Sequence, residues 1–275
     1  MKIEDYPPQE PLSDFAKPYH DACISRAEML DYEEFLYGED AYQSVLVCRA
    51  NNPTGHVLAF VHGGGWISGY KEWMAFMGPA LSQWGITFAS IGYRLAPRVF
   101  FPDGYQDVLD GFAGLVDRIG EFGGRPDRVF VGGHSAGGHY SSLMAVSTDW
   151  QRPRNMASDI VKGCLPISGV YDCREGNGMS ARPRFLGPED SETDQQASPV
   201  VNIRHAPPFF MAWGSDDFPH LKQQGADMAL ALRKAGASVE TIELEGCDHL
   251  GASLEAGDPD GDWAPHAARW MQSQV

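Results

Sequence analysis

The sequence predicts an α/β fold: a mostly parallel central sheet of about eight strands with helices on both faces. Three observations carry that reading. From about residue 42 onward, short apolar runs alternate with longer amphipathic ones, the rhythm of a parallel sheet covered on both sides. The 275 residues, 43% hydrophobic and 21% charged, can bury a sizeable core without disulfide or metal staples. The 31 Gly and 19 Pro follow no repeat, and with this composition they exclude a coiled coil, a collagen and a mainly disordered chain.

In chain order, residues 1–40 carry Pro7, Pro8, Pro11 and Pro18 and read as an irregular lead-in with one or two short helices. Strands are expected at 43–48 and 57–61, a helix at 72–84, and a strand at 87–93. Residues 105–121 read as a helix because Val108, Phe112, Leu115, Val116 and Ile119 recur at helical spacing. A short buried strand at 128–132 is followed by a helix at 137–146. Further strands are expected at 161–168, 208–213 and 239–244, and further helices at 221–235 and 263–272. Residues 171–205 break the rhythm and read as a small cap-like excursion over the carboxyl edge of the sheet. The whole chain, 1–275, reads as a single domain.

Lys plus Arg total 21 against 37 Asp plus Glu, a net charge of −16. Such a chain repels phosphate backbones and anionic bilayers, so neither nucleic acid nor a membrane is an expected partner. The five Cys are scattered with no CxxC pair, so neither a disulfide framework nor a zinc site is expected. The first residues are acidic and lack an apolar run, and no stretch approaches the roughly 20 apolar residues of a membrane span. A soluble, cytoplasmic protein is expected.

Chemistry concentrates in a few places. Gly133-His134-Ser135-Ala136-Gly137 follows a strand and opens a helix, the setting of a nucleophile elbow. A strand-to-helix turn this sharp lifts the serine hydroxyl above the sheet, and its glycines admit backbone where a Cβ would collide. His62-Gly63-Gly64-Gly65-Trp66 directly follows the strand at 57–61. Consecutive glycines let backbone N–H groups approach a developing oxyanion, and Gly64, Gly65 and Ala136 are the expected donors. A phosphate-cradling loop is the alternative, but neither Gly-Lys-Ser/Thr nor GxGxxG is present. His62 is expected to brace the loop.

A nucleophilic serine needs a base, and the base an orienting acid. In the elbow-bearing fold they follow the serine in the order acid, then histidine. The strand at 208–213 runs into Asp216-Asp217 and the strand at 239–244 into Asp248-His249, both at the sheet edge where βα loops project. Ser135, Asp217 and His249 are the predicted triad, with Asp216 as rival acid and Asp248 a weaker one. Among the other histidines after the elbow, His139 is expected to be structural within the elbow helix, His220 to lie on the first turn of a helix, and His266 to be solvated on the last one. Trp66 and Tyr171, with Trp73, Phe100 and Phe101, are candidates for an apolar substrate pocket or for core. Arg174, Arg182 and Arg184 either meet a substrate carboxylate or form local ion pairs with Asp172 and Glu175.

Taken together, His62–Trp66, Tyr93-Arg94-Leu95-Ala96-Pro97, Phe101-Pro102 followed by Asp107, and Gly133–Gly138 resemble the α/β-hydrolase superfamily. The likeness is to its hormone-sensitive-lipase-like esterases and kynurenine formamidases, and it spans about residues 42–272. The resemblance implies the α/β-hydrolase fold, a serine hydrolase with a Ser-His-Asp triad and no cofactor or metal, and a small-molecule ester or amide as substrate. Carboxylic esters are the expected substrate class. His134 before the serine, Lys71-Glu72, the stretch Ser168–Asp172, Asp217-Phe218-Pro219 with Gln224, and Cys247-Asp248-His249 resemble kynurenine formamidases and make an arylformamidase-like activity the alternative. A non-catalytic binding module of this fold would have lost a triad residue or blocked the glycine loop. The length leaves little room for the extra domain of a peptidase, and a homodimer is left open.

Overall fold

The computed structural model describes residues 1–178, 181–188 and 192–275. Eight strands form one sheet: β1 (Glu33–Leu36), β2 (Ser44–Cys48), β3 (Gly55–Val61), β4 (Thr87–Ile91), β5 (Gly124–His134), β6 (Val161–Ile167), β7 (Phe209–Gly214) and β8 (Val239–Leu244). Their spatial order is β1-β2-β4-β3-β5-β6-β7-β8. The first two are antiparallel to their neighbours, and the rest run parallel. The α-helices are α1 (Lys17–Ala27), α2 (Met77–Ser82), α3 (Asp103–Asp117), α4 (Ala136–Val146), α5 (Thr193–Gln196), α6 (Pro219–Lys234), α7 (His249–Glu255) and α8 (Trp263–Gln274). α4 packs on β3, β5 and β6 beside α3, while α2 and α8 pack together, α2 against β2 and β4 and α8 against β6 and β7.

Burial follows position in the sheet. Every residue of β3 is buried, whereas the edge strands β1 and β8 are largely open. The fully buried apolar runs read in the sequence are interior strands, whereas the strand read at 239–244 is the edge strand β8, where Val239, Ile242 and Leu244 supply the apolar signal. Two differences from the sequence reading have physical causes. The lead-in is more regular than expected. It holds the 11-residue α1 and the edge strand β1, whose Glu33–Leu36 pair with Ser44–Val47. An edge strand with one paired side need not carry the apolar run that marks a buried one. The helix expected over 72–84 is two pieces, a 3-10 turn at Lys71–Met74 and α2. The Lys71 and Glu72 side chains are drawn inward to pair with each other at 2.7 Å. Of the excursion over 171–205, residues 179–180 and 189–191 lie outside the described residues; the rest contains α5 and irregular turns.

Candidate active site

The site gathers at the carboxyl ends of β3, β5, β7 and β8, around the point where strand order reverses on either side of β3. Ser135 sits between β5 and α4 with φ 55° and ψ −117°, a backbone conformation that L-residues adopt only under constraint. The constraint is packing. A Cβ at Gly133 would lie 2.2 Å from the Gly137 carbonyl carbon, and one at Gly137 would lie 1.9 Å from the Val61 carbonyl oxygen. The turn can close against β3 only with glycine at both places. The Ser135 N–H donates to the Ile167 carbonyl at 2.9 Å, tying the elbow to the end of β6.

Three side chains form a row. The Ser135 hydroxyl lies 2.9 Å from His249 Nε2, and His249 Nδ1 lies 2.9 Å from Asp217 Oδ1. An Nδ1–H donating to the carboxylate leaves Nε2 free to accept from the serine. Asp217 is buried, and burial alone pushes its carboxyl up. The hydrogen bond and charge of His249 outweigh that and hold it below the ordinary carboxylate range. The rival acids lie elsewhere: Asp216 is exposed, and Asp248 caps α7 by accepting from the Gly251 N–H at 2.7 Å.

The glycine loop turns on the Gly64 carbonyl, which accepts from the N–H groups of Ile67 and Ser68 and from the Ser68 hydroxyl. Gly64 and Gly65 have positive φ, 110° and 61°. Among the described residues their N–H groups have no hydrogen-bond partner, which leaves two donors beside the elbow. The bracing role expected of His62 matches its geometry. Its Nδ1–H donates to the Gly63 carbonyl at 2.7 Å, its ring stacks on Tyr93, and burial lowers its pKa to about 4.

Trp66 and Tyr171, named as substrate-facing candidates, are both buried. The Trp66 indole N–H donates to His139 Nδ1 at 3.2 Å, and its ring stacks on Phe185 at 4.1 Å. His139 in turn donates from Nε2 to the Ala197 carbonyl, so this helix histidine links the glycine loop, α4 and the excursion. Trp73 and Phe101 are also interior, whereas Phe100 is exposed. Arg174 pairs with Asp172 at 2.6 Å and Arg184 with Glu10 at 3.7 Å, while Arg182 reaches the Gly187 carbonyl at 3.0 Å. His220 lies on the first turn of α6 and His266 is exposed on α8.

Two contacts had no signal in the sequence. His134 donates from Nε2 to the His249 carbonyl at 2.9 Å and packs its ring 4.8 Å from the His249 ring. Burial, then the His249 charge, lowers its pKa to about 3, so it stays neutral beside the other imidazole. Tyr19, from the lead-in, bonds the Ser253 hydroxyl on α7 at 2.9 Å.

The model of the alpha/beta hydrolase fold family matches residues 58–252, most of the chain, a span that includes Ser135, Asp217, His249 and the glycine loop. The chain belongs to the alpha/beta hydrolase fold family. Within that family it is 30% identical over 243 residues to a probable isoprenylcysteine alpha-carbonyl methylesterase of Arabidopsis thaliana, covering 80% of this chain and 51% of the relative. It is 33% identical over 264 residues to the esterase LipC of Mycobacterium tuberculosis, covering 87% of this chain and 64% of the relative. The chain thus spans about half to two thirds of the length of these curated relatives. The same hydrolase fold recurs in a bacterial heroin esterase, with TM-score 0.72 at 23% identity, covering 99% of this chain and 94% of the other. It recurs too in EstE1, a thermostable carboxylesterase cloned from a metagenomic library, with TM-score 0.73 at 19% identity over 95% and 97% of the two chains. Among the described residues no helix is long and apolar enough to cross a membrane.

Proposed function

We propose that the protein is a serine hydrolase of small carboxylic esters. The observation that carries the proposal is the row Ser135–His249–Asp217, with 2.9 Å at each step. Ser135 Oγ attacks the ester carbonyl carbon while its proton passes to His249 Nε2. Asp217 holds the imidazole tautomer and stabilises the imidazolium. The negative charge on the carbonyl oxygen is met by the N–H groups of Gly64, Gly65 and Ala136. The carbon–oxygen bond to the alcohol then breaks, and the leaving oxygen takes the proton from His249. Water, deprotonated by His249, attacks the acyl-serine and releases the acid. The relatives named above are esterases, which favours the ester over the formamide; the formamide reading rests on sequence resemblance alone.

A fluorophosphonate probe and p-nitrophenyl acetate turnover test the proposal together. The wild-type protein is expected to be labelled and to turn over the ester. Ser135→Ala is expected to lose the label and at least about a thousandfold in rate. Undiminished labelling of Ser135→Ala overturns the assignment. A larger kcat/KM on N-formylkynurenine than on the acetate overturns the ester preference.

A further inference from the structure

We infer that Phe15 and Phe218 form a subsite for the alcohol part of the ester, and that the favoured substrates carry an aromatic leaving group. The inference rests on the serine-hydrolase reading of the site and names its substrate class more narrowly.

Among the described residues, Phe15 and Phe218 are large apolar side chains left about half exposed, at 51% and 43%. Their ring centroids are 6.1 Å apart, and that of Phe218 is 5.2 Å from the His249 ring. Singly exposed apolar side chains are common on folded proteins, but two aromatic rings meeting beside a reactive centre form a contiguous patch, the kind that marks a ligand site. The chemistry of the row says which part of the substrate would cover it. His249 Nε2 must hand its proton to the leaving oxygen, so that oxygen comes within hydrogen-bond reach of the imidazole. The carbonyl oxygen is drawn instead toward the glycine loop. The carbon skeleton beyond the leaving oxygen therefore emerges on the His249 side, where Phe218 stands.

Both residues sit on backbone that is anchored by independent contacts. The Phe218 N–H donates to Asp217 Oδ1 at 2.7 Å, and its ring also meets His220. Phe15 lies in a turn where the N–H groups of Ala16 and Lys17 donate to the Ser13 carbonyl. The segment carrying it is anchored ahead by Gln9, which accepts from the Gly69 N–H at 2.6 Å, and behind by Tyr19 on Ser253. Two positions 203 residues apart in sequence are thus fixed as one apolar wall.

The test compares kcat/KM on 2-naphthyl acetate, ethyl acetate and methyl 2-naphthoate, which place the aromatic ring on the alcohol side, nowhere, and on the acyl side. In Phe15→Ala, the preference for 2-naphthyl acetate over ethyl acetate is expected to fall about threefold to tenfold, mainly through KM. Phe15→Trp is expected to keep it. The ratio of methyl 2-naphthoate to ethyl acetate is expected to hold. An equal loss on all three esters, or a loss confined to methyl 2-naphthoate, overturns the subsite. A second readout does not depend on turnover. Calorimetry of 2-naphthol with Ser135→Ala protein is expected to give a Kd that weakens about threefold to tenfold when Phe15→Ala is added. An unchanged Kd overturns the subsite as well. Absence of Ser135-dependent turnover on every ester overturns the hydrolase reading itself, whereas turnover without discrimination overturns only the subsite.

Discussion

The floor of the candidate site and the segments packed beside it, its cover, are built on different principles. The floor consists of the elbow and the glycine loop, two short turns at the ends of adjacent parallel strands. Its geometry is enforced by backbone against backbone: Gly137 against Val61, Gly64 against Ser68. The cover consists of the lead-in and the excursion, held down by side chains reaching across long sequence distances. Tyr6 donates to Glu72 at 2.8 Å, and the buried Lys71 ammonium bridges Glu72 and Glu34 at 2.7 and 2.9 Å. Gln9, Glu10 and Tyr19 complete the attachment through Gly69, Arg184 and Ser253. A floor made by steric exclusion has no tolerance for an added methyl where backbone meets backbone, as at Gly64 and Gly137. A cover made of separate polar contacts loses them one at a time.

The largest effect that can break this contrast is expected within the floor itself. At Gly64, with φ 110°, an added Cβ would sit 1.9 Å from the Ser68 carbonyl oxygen, so the loop must shift. Gly64→Ala is expected to lose about a hundredfold or more in kcat on p-nitrophenyl acetate through displaced donors. At Gly65 the nearest heavy atom to an added Cβ is 3.9 Å away, and only the positive φ opposes the change. Gly65→Ala is expected to stay within about tenfold of wild type, since a single left-handed residue costs on the order of 1–2 kcal/mol. Equal losses at the two positions would mean that steric exclusion does not set the floor.

An intermediate effect concerns the buried imidazoles around the floor, of which His139 reaches the Ala197 carbonyl of the excursion. Burial lowers the pKa of His62 and His139 to about 4 and that of His134 to about 3. In the unfolded chain the same groups take up protons near pH 6.5. Between about pH 6.5 and 4 the unfolded state therefore binds more protons than the native one, and stability falls as pH falls. Each such histidine contributes about 1.4 kcal/mol per pH unit inside that window. Unfolding free energy measured by denaturant at pH 6 and pH 5 is expected to decline steeply in wild type. In His139→Gln the decline is expected to be shallower by about one proton, and an unchanged slope would show that this imidazole is not held neutral.

The smallest effect is expected in the cover. Tyr19→Phe removes one hydrogen bond to Ser253 and leaves the ring packed on Trp73 and near His134. A loss of about 1 kcal/mol in unfolding free energy is expected, with kcat on p-nitrophenyl acetate within about twofold. A fall in kcat comparable to that of Gly64→Ala would make the cover part of the catalytic geometry and erase the distinction.

What was legible in the sequence is what local physics imposes. Buried strands need apolar runs, an elbow needs glycines flanking its serine, and a strand end followed by an acid or a histidine marks the working edge of a parallel sheet. Ser135, Asp217, His249 and the glycine loop stood out for those reasons, as did the bracing role of His62. The edge strand β1 did not, because one paired side imposes no apolar run. Neither did the inward turn of Lys71 and Glu72, since charged residues read as surface until a partner such as Glu34 is brought beside them. The binding of His134 to the His249 carbonyl and the meeting of Phe15 with Phe218 depend on how separate segments approach in space. Sequence by itself determined the fold class and the residues able to do chemistry. Tertiary structure alone decided which side chains face the reacting atoms, because that choice is made by contacts between segments whose separation along the chain carries no local signal.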